Sequence, residues 1–205
     1  MVRETELIPL FPLKSVLFPG GRVPLQIFEP RYVDLTTRCL KAGTGFGICL
    51  ISEGDEVIRA GDRQRVSRVG TYANIVDWDR LPNGLLGVTV EGCHKFRVRD
   101  CWPRDDKLLM ATVEWCGEDY LGQPALPMTP EQDRLLALLK DLLAHPLVES
   151  LRLHTDFNDQ RHLAWRLAEL LPVPLHQKQK LLELNDTKQR LEEIENLVAS
   201  VMRYQ

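Results

Sequence analysis

The sequence predicts an α+β fold with its strands first and its helices last, and three observations carry that prediction. From Leu7 to Cys116, apolar residues alternate or run in short blocks divided by Gly, Pro and Asn, as short strands and their turns do. From Thr129 onward, apolar residues recur at helical spacing. Between the two lies a stretch holding Gly122, Pro124 and Pro127, a composition that interrupts regular structure. The organisation read from this is a β-rich unit over 1–118, a linker over 119–128, and a helical bundle over 129–205 packed against the β part.

The elements follow in order. Leu7 to Leu10 is a short apolar run ending in Phe11-Pro12. Val23, Leu25 and Ile27 alternate across Pro24 and Gln26, which is the period of a strand. One short helix starts at Glu29-Pro30, because proline in the first turn loses an N–H that has no partner there. Tyr32, Leu35 and Cys39 share one face of it, and Gly43 stops it. Phe46 to Ile51 suits a buried strand. Thr71–Trp78 and Leu85–Val90 flank Pro82-Asn83-Gly84, whose Asn-Gly supplies the positive φ angles of a tight hairpin. His94–Val98 and Leu108–Trp115 complete the set. Many short strands punctuated by turns point to a small barrel or sandwich.

In the second part, Thr129-Pro130-Glu131-Gln132 forms a capping box. It opens a helix with Leu135, Leu138, Leu139 and Leu142 on one stripe, ended by His145-Pro146. Further helices are read over Asn158–Leu171 and Leu175–Leu184. A last one starts at an Asp186 cap and carries the stripe Leu191, Ile194, Leu197, Val198 and Val201. That stripe suits packing within the bundle and a homodimer contact equally well.

Composition narrows the function. At 44% hydrophobic and 27% charged, the 205 residues hold enough apolar material for a real core. A net charge of -3 gives no pull toward nucleic acid or an anionic membrane. The charge is even: residues 1–128 carry 16 Lys+Arg against 17 Asp+Glu, and residues 129–205 carry 10 against 12, so neither end forms a charged tail. Met1 to Glu6 holds two acids and no apolar segment, and no run approaches the roughly 18 residues of a membrane span. These features predict a cytoplasmic protein. Its cysteines, Cys39, Cys49, Cys93, Cys101 and Cys116, include no C-x-x-C pair and read as small core residues.

Catalytic patterns are absent. There is no phosphate-binding G-x-x-x-x-G-K-[ST], no G-x-S-x-G and no H-E-x-x-H. Gly43, Gly45 and Gly47 alternate without the lysine a phosphate loop needs. Ser15, Ser52 and Ser67 have no histidine near them in sequence, and His94, His154 and His162 lack the local spacing of a zinc site. No cofactor, no metal and no catalytic residue are expected. Arg59, Arg63, Arg65 and Arg68 cluster, but Asp55, Glu56 and Asp62 interleave with them, so a solvated face is the simpler reading.

Three stretches carry a resemblance. They are Ile8-Pro9-Leu10-Phe11-Pro12-Leu13, then Val16-Leu17-Phe18-Pro19-Gly20, then Leu25-Gln26-Ile27-Phe28-Glu29-Pro30-Arg31-Tyr32. In that order they resemble the opening of the Lon N-terminal domain family. Phe46-Gly47-Ile48, Asn83-Gly84, Gly92–Val98, Leu171-Pro172 and Lys178–Glu183 resemble later family segments, with Lys95 where arginine is common. The resemblance implies a PUA-like β-pseudobarrel with one short helix, followed by a C-terminal helical bundle. It implies a non-catalytic protein- or polypeptide-binding module. No ATPase or Ser-Lys protease segment occurs in these residues, so those activities do not carry over.

Several expectations follow for particular residues. Glu29 and Arg31 form an ion pair, or Glu29 caps the helix; Tyr32 buries its ring and keeps its hydroxyl paired. Pro9, Pro12, Pro19 and Pro24 hold extended backbone and end strand pairing. Phe11, Leu13, Phe18 and Pro19 form an exposed apolar patch; this patch, or the groove between barrel and helices, grips unfolded or hydrophobic polypeptide, or a protease or chaperone partner. Such a module suits an adaptor in protein quality control. The alternative, from fold analogy, is an RNA-binding PUA-like module.

Overall fold

A computed structural model describes residues 5–56, 64–117, 121 and 123–202, with backbone alone at 201 and 202. It divides into two compact units, Met1–Gly117 and Glu118–Gln205. Arg59, Asp62 and Arg63 of the charged cluster, and Gly122 of the expected linker, lie outside the described residues. The Val201 side chain of the last apolar stripe does so too.

The first unit contains β1 (Thr5–Leu13), β2 (Arg22–Ile27), α1 (Pro30–Ala42), β3 (Phe46–Glu53), β4 (Arg65–Val66), β5 (Val69–Arg80), β6 (Leu86–Pro103) and β7 (Leu109–Trp115). Hydrogen bonding runs β1-β7-β6-β5-β3 and returns to β1, which closes the ring. The closure is a change of partner within one strand. Thr5–Leu10 of β1 pairs antiparallel with β7, and Leu10–Leu13 pairs parallel with β3. β2 lies beside the first part of β6, on the edge whose later part holds β7. This is the PUA-like β-pseudobarrel with its one short helix.

Three details differ from the sequence reading. The strands read at Leu85–Val90 and His94–Val98 are one strand, β6, irregular between its ends: its register with β5 shifts near Ala73 and Asp77, and with β7 near Asp100. Pro9, Pro12 and Pro24 do not end pairing. They sit opposite Met110, Cys49 and Thr89, on stretches paired along one edge only, where a missing N–H has an unpaired side to face. The two-residue β4 has no sequence signal.

Two apolar clusters fill the unit. One gathers Phe11, Leu13, Leu25, Ile27, Tyr32, Leu35, Phe46 and Ile48 among others. The other gathers Ile8, Leu10, Cys49, Phe96, Ala111 and Val113. β1 and β3 contribute to both, so these strands are buried on both faces and read as nearly continuous apolar runs. Gly47 faces the second cluster. A Cβ there would come within 2.7 Å of Leu10 Cδ2 and Phe96 Cζ, so close packing explains that glycine. Gly43 has φ 64° and ends α1 in the left-handed conformation, as expected.

The second unit holds a 3₁₀ turn (Pro130–Gln132) and five helices among the described residues: α2 (Asp133–Leu143), α3 (Pro146–Glu149), α4 (Gln160–Leu170), α5 (Leu175–Glu183) and α6 (Thr187–Met202). The caps follow the sequence. Gln132 Oε1 accepts from the Thr129 N–H at 2.9 Å, and Asp186 Oδ1 accepts from the Gln189 N–H at 2.9 Å. The short α3 was not expected; His145 caps it, Nδ1 accepting from the Leu147 N–H at 3.3 Å. Pro124–Pro127 is no free linker. Leu126 N–H donates to the buried Asp159 carboxylate at 3.1 Å, and the Pro124 and Pro127 carbonyls accept from Arg161 and Gln160 at 2.6 Å each.

The core of this unit surrounds Trp165. Arg190, 0% exposed, lays its guanidinium 3.4 Å from the centroid of that ring. Arg190 Nε donates to the Leu181 carbonyl at 3.0 Å, and Nη2 donates to that of Leu184. These are carbonyls at the end of α5 that no further helical turn satisfies, so a cation there also meets the negative end of the helix dipole. Arg166, 1% exposed, pairs with Glu169 at 2.8 Å.

Candidate functional site: an apolar hollow in the barrel unit

A hollow of about 380 Å³ opens where the end of β1, strand β2 and the start of α1 converge. Each element supplies a wall by its own periodicity. β1 contributes Phe11 and Leu13, two residues apart and so on one face. β2 contributes Val23 and Leu25 on the same alternation. The turn into α1 contributes Phe28, and its first turn Tyr32. Ser15, Glu29 and Glu56 are the polar members of the lining that carry hydroxyl or charge beside Tyr32. A hollow of this size lies within the ~300–1,000 Å³ of typical ligand pockets.

Aromatic rings form its floor. Tyr32 stacks on Phe11, with centroids 4.0 Å apart and planes 22° from parallel, and Phe11 stacks on Phe46 at 5.6 Å. Arg31 braces the group from behind. Its Nε donates to Glu29 Oε2 at 3.0 Å, Nη2 lies 2.9 Å from the same oxygen in the ion pair, Nη1 donates to the Lys107 carbonyl at 2.7 Å, and the guanidinium lies 4.4 Å from the Tyr32 ring centroid. Of the two roles expected for Glu29 the ion pair is the one formed; Glu29 stands at the N-cap position without a side-chain capping bond.

Tyr32 departs from expectation. Its ring is buried, at 5% exposure, but its hydroxyl finds no hydrogen-bond partner among the described residues. Burial pushes the phenol up to about 12, with the Glu29 and Glu56 carboxylates pressing the same way against Arg31. The hydroxyl is therefore neutral at physiological pH.

The expected exposed patch does not exist as such. Phe11, Leu13, Phe18 and Pro19 are all buried. Phe11 and Leu13 line the hollow; Phe18, at 0% exposure, and Pro19 do not. The cause is a set of bonds tying Leu17–Gly21 down onto β5 and β6. Gly20 N–H donates to the Gly92 carbonyl at 2.7 Å, Gly92 N–H to that of Gly21 at 2.9 Å, and the Thr71 hydroxyl to that of Leu17 at 2.6 Å. Proline and apolar density therefore marks a buried plug in this stretch. The exposed aromatic residue is Phe28, 56% accessible on the lip. Only its place inside the Leu25–Tyr32 motif marked it in the sequence.

Among the described residues, no serine or cysteine is in contact with a histidine at the hollow. Ser15 lines the hollow, but no histidine does among the described residues. Burial pushes the Cys39, Cys49, Cys93 and Cys101 thiols up, away from reactive thiolate. His154 and His162 meet edge to face, centroids 5.7 Å apart, and no group of three potential metal ligands occurs among the described residues. Arg65 of the charged cluster faces Glu53 at 3.4 Å. No described helix is long and apolar enough to cross a membrane.

A PUA-like barrel carrying an apolar hollow, followed in sequence by a helical bundle, defines the class. The chain belongs to the ATP-dependent protease La (LON) substrate-binding domain family, which matches residues 7–200. It is 24% identical to the Lon protease of Brevibacillus choshinensis over 196 residues, covering 90% of this chain and 24% of that protein. It is 26% identical to the Lon protease of Rhizobium meliloti over 194 residues, covering 92% and 23%. The chain thus spans about a quarter of the length of the curated relatives it matches. The crystal structure of a Lon N-terminal domain protein from Xanthomonas campestris matches with TM-score 0.74 at 33% identity, covering 93% of this chain and 98% of that one. The N-terminal domain of a Mycobacterium avium complex Lon protease shares the fold, with TM-score 0.59 at 19% identity and coverage of 93% and 97%.

Proposed function

We propose that the chain binds polypeptide through this hollow and works as an adaptor, passing unfolded or hydrophobic segments to a separate protease or chaperone. The observation that carries the reading is the hollow itself: an apolar floor of Phe11, Leu13 and Leu25, open to solvent beside a half-exposed Phe28. An extended segment brings apolar side chains that a folded protein keeps inside, and burying one contributes about 1.5–3 kcal/mol. Family membership supports the same reading, because the matching domain is described as substrate-binding. The role proposed is a non-catalytic one, supported by the match falling on that domain.

The test uses Phe28, whose exposure lets a charge replace it without entering the core. Fluorescence anisotropy with a labelled, chemically unfolded protein should give measurable affinity for the wild-type chain and at least about tenfold weaker binding for Phe28→Asp, equivalent to ~1.4 kcal/mol. Equal binding by both proteins removes the hollow from the mechanism. No binding by either removes the polypeptide reading.

A further inference from the structure

Resting on the polypeptide reading, we propose that the hollow selects segments in which a basic side chain, lysine or arginine, accompanies the apolar residue. Two carboxylates, Glu29 and Glu56, belong to its lining, and no lysine, arginine or histidine does among the described residues.

Ion pairing decides which of those charges is open to a ligand. Glu29 is held by Arg31 at 2.9 Å, so that pair is close to neutral. Asp55, beside the hollow, is held by the Lys14 ammonium. Glu56 receives the Lys14 backbone N–H on Oε1 at 2.6 Å, which satisfies one oxygen but cancels no charge. Among the described residues the local sum is one negative charge, on an exposed residue of the wall.

Tyr32 supplies the second observation. Its hydroxyl sits on a residue 95% buried, lines the same hollow and has no partner among the described residues. Leaving a buried polar group unmade costs about 1–3 kcal/mol. An ammonium or guanidinium N–H donates to a neutral phenol oxygen, and its charge meets Glu56. A carboxylate ligand gains the first contact and loses on the second. A lysine or arginine side chain also matches the hollow along its length, with an apolar stem for the Phe11–Leu25 floor and a charged head for the rim.

The test compares three unstructured Gly/Ser-rich peptides that differ at one position, a Phe-Lys, Phe-norleucine or Phe-Glu step. Norleucine keeps the stem and removes the charge. Anisotropy titrations use the wild-type chain, Glu56→Gln and Tyr32→Phe. The Phe-Lys peptide should bind the wild-type chain about tenfold more tightly than Phe-norleucine, with Phe-Glu weakest. That advantage, read as the ratio of Phe-Lys to Phe-norleucine affinity within each protein, should shrink to about twofold or less in Glu56→Gln and fall measurably in Tyr32→Phe. Glu56 is exposed, so its variant isolates charge from folding. Equal binding of Phe-Lys and Phe-norleucine to the wild-type chain overturns basic selection and leaves polypeptide binding standing. Failure of every peptide to bind overturns both.

Discussion

Two buried polar side chains, Arg190 in the helical unit and Tyr32 in the barrel unit, differ in what meets their polar atoms. In the helical unit Arg190 is fully enclosed, yet its guanidinium stacks on Trp165 and donates to the carbonyls of Leu181 and Leu184. In the barrel unit Tyr32 is nearly as enclosed, and its hydroxyl has no partner among the described residues. The first arrangement satisfies two carbonyls at the end of α5 from within the fold. The second leaves a neutral donor–acceptor on the wall of a cavity. A partnered buried group serves the fold, whereas an unpartnered one facing open space is where binding has something to gain.

Three substitutions test that contrast, the largest effect first. Phe18→Asp forces a charge into a site with no exposure and should cost about 4 kcal/mol or more. Hydrogen exchange should show protection lost from β5 and β6 while α4–α6 keep theirs. Retained protection in the barrel would mean that Leu17–Gly21 is not the plug described above. Arg190→Ala strips two carbonyls of their donor and opens a cavity beside Trp165, for about 3–5 kcal/mol. The loss of protection should then fall on α4–α6 and spare the strands.

Tyr32→Phe is the mildest and the most discriminating. At pH 7 it should leave stability unchanged or raise it by up to about 1 kcal/mol, because the hydroxyl it removes has no partner among the described residues. A loss of 1 kcal/mol or more in urea melts would show that the hydroxyl is satisfied and would break the comparison. The two proteins should diverge in alkali. The phenol is held up to about 12 in the fold, against 10.0 for an unburied tyrosine. Its contribution is present in full below pH 10 and is lost between pH 10 and 12, as the unfolded chain ionises first. The wild-type chain should lose roughly 2–3 kcal/mol more than Tyr32→Phe across that window, at 1.36 kcal/mol per unit.

The sequence was most informative where structure is local. The α1 start at Pro30 and stop at Gly43 and the Asp186 cap are each set by a residue's own backbone or its nearest neighbours, while of Asn83-Gly84 only Gly84 takes the expected positive φ, at 81°, in a loop between Arg80 and Leu86. It was least informative where a partner is distant. Phe18 is buried because Leu17 and Gly20 are bonded to Thr71 and Gly92, and no pattern near Phe18 records that. Pro124–Pro127 has the composition of a linker, and its anchoring depends on Asp159, Gln160 and Arg161 more than thirty positions on. The hollow was half legible. Phe11 and Leu13 stand out in the sequence, but Phe28 and a Tyr32 hydroxyl with no partner among the described residues emerge only from placement.

The divided loyalty of β1 sets the order in which this barrel is made. Its first half waits for β7, and the contact between Glu6 and the Trp115 indole spans 109 positions. Its second half clasps β3, far sooner available. During synthesis the leading strand therefore takes one neighbour early and stands with its other half open until the seventh strand appears. Closing so long a loop is slow relative to local pairing. A nascent chain halted before Leu109 keeps an unpaired β1 edge, and an edge of that kind recruits stray strands. The same interval is when a newborn copy of this protein most resembles the unfolded segments it is proposed to hold.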